Sequence, residues 1–208
     1  MRELEVPDYL DLVWHSLCFD GERSETVQYF LPRVFEDFAK GNYNQVEPEM
    51  FVSDMNQCRW REWPPEKVAA VESFFYAWVA QSCTDRPVLR ANSEVVDRLK
   101  VVAFSGAPLQ PLFNHWLAAP GRRSAILLAE LINAMWEGGD PDFPPGWNQV
   151  WGDEGVDRAT VETIREFLMS SGPLALLEDA FFASDDAKTQ AFLSNGIAIL
   201  DSVRARRT

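Results

Sequence analysis

Two histidines and three cysteines are the side chains of this sequence that are best suited to catalysis. His15 lies three residues before Cys18, a spacing at which an imidazole on a helix can activate a thiol. Cys18, however, falls on the apolar face of the helix predicted there, and buried thiols are usually inert. His115 has no Ser or Cys nucleophile motif beside it. We therefore predict no catalytic residue and favour a non-catalytic protein.

The sequence motifs that hold metals and cofactors do not occur in this chain. There is no G-x-G-x-x-G, no Walker loop, no H-E-x-x-H and no EF-hand spacing. Glu162 and Glu166 are four residues apart, as paired metal ligands on a helix would be, but many solvated helices carry the same spacing. We predict no metal site and no cofactor.

The cysteines indicate the compartment. Cys18, Cys58 and Cys83 are an odd number at wide spacings, without a C-x-x-C pair. This pattern is typical of reduced thiols and argues against a disulfide framework. The first residues are acidic and lack the apolar core of a secretory leader, and no segment approaches the ~18 apolar residues that span a bilayer. We therefore expect a cytoplasmic protein.

One long segment, residues 138–155, has no helical period. It reads GGDPDFPPGWNQVWGDEG and combines Pro, Gly and acidic residues with two tryptophans. Long irregular loops in compact domains often carry binding sites. The predicted partner-binding residues are therefore Trp147, Trp151, Asp140, Asp142, Asp153 and Glu154. The alternative is that both tryptophans fold back as a structural lid.

The charge balance constrains the partner. The chain contains 32 acidic and 19 basic residues, which gives a net charge of −13. Nucleic acids and anionic membranes are bound through Lys and Arg, so neither is an expected partner. Excess acid also keeps a surface soluble, and a basic protein partner is the more specific interpretation. The sequence indicates no oligomeric state.

Two hypotheses for function follow from these observations. The preferred one is a non-catalytic interaction protein that binds another, basic protein through an acidic surface bearing aromatic residues. The alternative is an enzyme or small-molecule-binding protein with a Trp-lined pocket between helices, gated by residues 138–155. A concave pocket with convergent polar groups would favour the alternative, and a shallow acidic face would favour the preferred hypothesis.

The candidate residues must be positioned by helices. The clearest predicted helix covers residues 24–41. Their apolar residues recur at i, i+3, i+4 and i+7 and predict one buried face: Val27, Phe30, Leu31, Val34, Phe35 and Phe38. Pro32 lies inside this run, where proline costs roughly 3 kcal/mol. Either the helix kinks at Pro32, or the main helix starts there.

The remaining pattern predicts an all-α fold with about nine or ten helices packed as antiparallel pairs, in a single domain over 1–208. Irregular helical-repeat packing and a subdivision near 84–92 are left open. Helices are expected over 48–57 and from Pro65 onward, and the run SAILLAELINAMWEG is expected to be the most buried. Gly172-Pro173 is expected to separate two helices, and Gly196 to permit a close helix approach.

Two motifs carry a family resemblance: YFLPR at 29–33 with Glu36, and WREWP at 60–64 before an apolar helix that ends in Ala77-Trp78. In these two motifs, the chain resembles a family of uncharacterised bacterial all-helical proteins with an FLPR…W–WP signature. The resemblance implies a helical fold over most of the chain and implies no activity.

Overall fold

The computed structural model describes residues 23–41, 48–84, 94–118, 121–136 and 158–205. These residues form helices and short turns, with no strand among them, so the predicted all-α fold class is confirmed. The chain divides into two compact units, Met1–Phe75 and Tyr76–Thr208. The division falls inside a helix and not near 84–92, and the single-domain assignment stays a prediction. None of the helices in these ranges combines the length and apolar character that a bilayer crossing needs.

The first unit contains α1 (Arg23–Lys40), α2 (Pro48–Gln57), a 3-10 turn (Trp60–Glu62) and the beginning of α3 (Pro65–Thr84). The predicted starts of α2 and α3 are both confirmed. Each begins on a proline, because the missing N–H has no helical partner at the first position and the fixed φ already suits a helix.

Pro32 lies in the interior of α1, so the alternative in which it starts a helix is wrong. The helix continues through it because Val27, Val34 and Phe38 on either side are all buried and hold both halves against the core. Pro32 itself is exposed. Gly41 ends α1 with a φ of 73°, a conformation in which glycine pays no steric cost.

Aromatic side chains dominate the core of the first unit. Phe35 stacks on Phe74 with ring centroids 3.8 Å apart. Seven residues earlier on each helix, Lys67 donates a hydrogen bond to Gln28. Because both contacts have the same offset along the sequence, α1 and α3 run in the same direction, with α2 as the crossover between them.

The second unit contains the rest of α3, followed by α4 (Glu94–Ser105), α5 (Gln110–Ala118), α6 (Arg122–Trp136), α7 (Arg158–Met169), α8 (Ser171–Ala183) and α9 (Ala187–Ala205). Gly172 and Pro173 do not separate two helices as predicted. Ser170 is the separator, and both residues lie in the first turn of α8. A proline is tolerated there because the first N–H groups of a helix have no internal acceptor.

Three helices, α6, α8 and α9, form the centre of the second unit. The predicted close approach at Gly196 is confirmed, because a Cβ built there would lie 3.4 Å from the Cβ of Ala129. Arg122 donates a hydrogen bond to the hydroxyl of Thr189 at 2.8 Å. The two residues of this pair are as far apart in the sequence as Ala129 and Gly196 are, so α6 and α9 run in parallel. The expected antiparallel pairing holds for the consecutive helices α8 and α9.

The run SAILLAELINAMWEG, which contains most of α6, is not the most buried helix. Eight of the 15 residues of α6 are buried, whereas α4 buries eight of its 12. The buried residues of α4 include Arg98, which, although charged, lies against α3 and donates a hydrogen bond to the carbonyl oxygen of Trp78 at 2.5 Å.

Candidate functional site

The predicted partner-binding residues lie outside the described part of the chain. All six belong to the segment 137–157: Trp147, Trp151, Asp140, Asp142, Asp153 and Glu154. His15 and Cys18, the one pair considered for thiol chemistry, also fall outside it. Both assignments stay predictions.

The described candidates for chemistry lie on α5 and α7. His115 is exposed on α5 beside the buried Trp116. Glu162 pairs with Arg165 on its own helix, with 3.3 Å between the carboxylate and guanidinium atoms. Within the ranges that the structure covers, no group of three or more His, Cys, Asp or Glu side chains could hold a metal ion.

A different feature emerges at the C-terminal end of α8. Phe182 exposes 81% of its surface, the largest exposed fraction among the large hydrophobic residues that are described. Glu178 and Asp179 precede it by one helical turn and are exposed on the same face. At i, i+3 and i, i+4 spacing, the Cβ atoms of such residues lie about 5–6 Å apart. Asp185 follows just beyond the helix end, also exposed. We call these four residues the Phe182 corner.

The Phe182 corner has a uniformly negative electrostatic character. The whole of α8, SGPLALLEDAFFA, contains no Lys or Arg. The carbonyl groups at the C-terminal end of a helix add a partial negative charge to that end. The corner therefore combines an exposed aromatic ring with carboxylates and a helix dipole that all favour a cation.

The backbone that carries Phe182 is clamped to the start of α9. Gln190 donates from Nε2 to the carbonyl oxygen of Ser184 at 2.7 Å and, at 3.5 Å, more weakly to that of Phe181. The hydroxyl of Ser184 accepts a hydrogen bond from the backbone N–H of Asp186 at 3.3 Å. The turn between the two helices is therefore fixed by side chains, and the position of Phe182 is fixed with it.

Asp186 closes this turn as the N-cap of α9. Its Oδ2 accepts the backbone N–H of Thr189 at 3.1 Å and also the hydroxyl of Thr189. Arg122 Nη2 lies 3.3 Å from the same oxygen. The Thr189 hydroxyl first, and then the N–H groups of Thr189 and Lys188 together with Arg122, hold the pKa of Asp186 below its usual range. Asp186 is thus committed to the cap, and the acids of the corner remain for a partner.

Sequence reasoning missed Phe182 because it attended to the apolar face of α8. Helical spacing puts Leu174, Leu177, Ala180 and Phe181 on that face, of which Leu177 and Ala180 are buried and the other two are half-buried. The usable signal was on the opposite side. Phe182 follows Asp179 by three residues and Glu178 by four, at a position where a polar side chain would be expected.

No family model, no curated protein and no solved structure matches this chain. The resemblance to bacterial helical proteins therefore adds nothing to the functional argument. Several of the residues that carry it serve packing: Trp60 and Trp63 are 1% and 7% exposed, and the indole of Trp60 donates to Asn56 Oδ1 at 3.0 Å. The site must be interpreted from its own chemistry.

Proposed function

We propose that this chain is a non-catalytic cytoplasmic protein that binds a basic segment of another protein through the Phe182 corner. The observation that carries the proposal is the position of Phe182, 81% exposed beside two acids on a helix without a single cation. Aromatic side chains, phenylalanine among them, are enriched in the cores of protein interfaces.

The free energy available from this one residue is appreciable. Complete burial of a phenylalanine side chain contributes roughly 1.5–3 kcal/mol. Side chains that are already held in place lose less conformational entropy when a partner binds. The hydrogen bonds from Gln190 to the carbonyl oxygens of Ser184 and Phe181 restrain the backbone on both sides of Phe182, and the edge-to-face contact with Phe181 restrains its ring. The corner can therefore contribute to affinity without first being ordered.

The charges determine which partner fits. An apolar partner would remove water from Glu178 and Asp179 without replacing their hydrogen bonds, which is unfavourable for ionised groups. A basic partner would pair with them. The net charge of −13 extends this preference to long range, because it steers positively charged proteins toward the molecule before contact.

The segment 138–155 has the same chemical character, with tryptophans beside acids. The hypothesis that Trp147 and Trp151 contact the partner stands alongside the proposal for the Phe182 corner. The two hypotheses are separable by mutation, since they concern different residues.

The experiment is affinity purification from the native cell with three baits: the unaltered protein, Phe182→Ala and Tyr29→Ala. Tyr29 is the matched control because it is exposed to nearly the same extent, 79% against 81%. A basic protein should be recovered with the first and third baits and depleted with the second. The binding of the recovered basic protein to each of the three baits is then measured with purified proteins. Equal recovery with all three baits would place the contact elsewhere.

A further inference from the structure

The partner residue that Phe182 receives can be specified further. We infer that it is an arginine, whose guanidinium stacks on the Phe182 ring while its N–H groups bind the adjacent carboxylates. This inference rests on the proposed function, since it names the chemistry of the same partner at the same corner.

The first observation is the orientation of the ring. Phe181 and Phe182 are in edge-to-face contact, with centroids 5.3 Å apart and an interplanar angle of 83°. Phe181 is half-buried and anchored, whereas Phe182 is exposed. The contact restrains the exposed ring and still leaves 81% of the residue open to solvent. The corner thus presents a defined aromatic surface.

The second observation is the placement of the acids around that ring. Glu178 and Asp179 lie one turn back along the helix, beside the ring. A guanidinium stacked on an aromatic ring directs its N–H groups outward in its own plane, where carboxylates at the side can accept them. An ammonium group is a compact charge without a flat face, so it covers less of the ring while it donates to the carboxylates. An aliphatic side chain would satisfy the ring alone.

The third observation is that the outward face of α8 leaves room for such a group. Ala175 precedes Glu178 by three residues and Ala183 follows Phe182 directly, and both are exposed. Neither side chain extends beyond its Cβ, so neither blocks an approach along the helix. The flat guanidinium can lie over the ring between them.

The chain itself already uses this contact. The guanidinium carbon of Arg98 lies 5.1 Å from the ring centroid of Trp78, and that of Arg61 lies 5.7 Å from the ring centroid of Trp60. Both distances are within the range of about 6 Å over which a cation is attracted to an aromatic face. Phe182 offers the same kind of surface, but to a partner instead of to its own chain.

The test uses three synthetic peptides that alternate glycine with arginine, lysine or citrulline, six of each per peptide. Citrulline keeps the planar shape of arginine and lacks its charge. Each is titrated into the full-length ¹⁵N-labelled protein at low salt, and the amide shifts of residues 178–190 are followed. We expect the arginine peptide to bind about three-fold more tightly than the lysine peptide, and the citrulline peptide not to bind.

Two variants decide whether the aromatic ring is the cause. Phe182→Leu keeps an apolar side chain and removes the π surface, so the preference for arginine over lysine should vanish. Phe182→Tyr restores an aromatic ring and should restore the preference. Circular dichroism of both variants verifies that the helices are intact, as expected for an exposed position.

The outcomes separate this inference from the proposed function. If arginine and lysine peptides bind the corner equally, or if the preference survives in Phe182→Leu, the arginine inference is wrong and the proposed function stands. If neither peptide shifts the amides of residues 178–190 even at low salt, the corner does not bind basic segments and both proposals fall.

Discussion

Two aromatic side chains, Tyr29 of α1 and Phe182 of α8, are exposed to almost the same extent, 79% and 81%. Each projects from the outward face of a helix and each belongs to a different compact unit. Isolated exposed hydrophobic residues are common on protein surfaces and require no explanation by themselves. The comparison shows that exposure alone does not identify a site, and that the surrounding groups must decide.

The surroundings of Tyr29 are electrically mixed. Glu25 precedes it by four residues and Arg33 follows it by four. Arg33 in turn pairs with Glu36 at 2.5 Å, as its spacing predicts, and Glu36 also lies 3.7 Å from the ammonium group of Lys40. The charges on this stretch of α1 largely satisfy one another, so they offer little to a charged partner.

The charges along the chain on both sides of Phe182 have one sign. Between Glu178 and Asp186 the chain carries acids and no cation, and Lys188 is the first positive residue beyond them. Asp186 is occupied by the cap of α9, with Thr189 and Arg122. The three acids of the corner are thus left for a cation from outside. This difference in charge, and not a difference in exposure, singles out Phe182.

The largest expected effect is the loss of the ring. Phe182→Ala should weaken the binding of the identified partner by about 10- to 30-fold, which corresponds to about 1.4–2 kcal/mol, because the burial of the ring is lost. Tyr29→Ala should change the affinity by less than about two-fold. Surface plasmon resonance with purified proteins measures both. An equal loss of affinity in the two variants would show that Phe182 has no special role in binding.

The next effect concerns the charges beside each ring. Converting Glu178, Asp179 and Asp185 to their amides should lower the association rate about ten-fold at low salt and should make its salt dependence shallower, although most of the net charge of −13 remains. The reason is that screening acts on the long-range attraction that these acids supply. The matched control is Glu25→Gln with Glu36→Gln beside Tyr29, which should leave the association rate close to that of the wild type. A salt dependence as steep in the triple variant as in the wild type would show that the acids of the corner do not steer the partner.

A smaller effect is expected from the clamp beneath Phe182. Gln190→Ala removes the hydrogen bonds to Ser184 and Phe181, worth about 1 kcal/mol of folding free energy, and should lower Tm by about 2–4 °C. Affinity should fall about two-fold, because Phe182 must then be ordered on binding. The control is Gln28→Ala, which removes an exposed hydrogen bond from Lys67 and should not affect binding. If Gln190→Ala lowers Tm and leaves affinity intact, the clamp supports only the fold.

The smallest effect depends on pH and tests the separate role of Asp186. A carboxyl group whose pKa is lowered by folding contributes stability above its unfolded value, near 3.9, and loses it as the pH falls through the folded value. The difference in Tm between wild type and Asp186→Ala should therefore be greatest near neutral pH and shrink below about pH 4. Thermal denaturation between pH 7 and pH 3 measures it. If the difference in Tm did not change with pH, the stability of the cap would not depend on the charge of Asp186.

Local features of the fold could be predicted from the sequence. The starts of α2 at Pro48 and of α3 at Pro65 follow from the backbone chemistry of proline, which is independent of distant residues. The Arg33–Glu36 pair follows from helical spacing in the same way. Gly172 and Pro173 were assigned incorrectly because the same two residues suit either a helix break or a first turn.

The candidate site could not be predicted in the same way. Helical spacing puts Phe181 on the apolar face of α8 and leaves Phe182 off it, but it does not show that Phe182 is 81% exposed beside a turn that other side chains hold. The residue Gln190, which holds the turn, is nine residues from Phe181, a separation at which sequence spacing carries no signal. Tertiary contacts therefore supply what periodicity leaves open.

The central claim is tested most directly by photocrosslinking. A benzophenone amino acid replaces Phe182 in one protein and Tyr29 in another, and each is irradiated with the same purified partner. The account predicts a covalent adduct at position 182, mapped by mass spectrometry to an arginine-containing segment of the partner, and none at position 29. An adduct at position 29 with none at position 182 would contradict it.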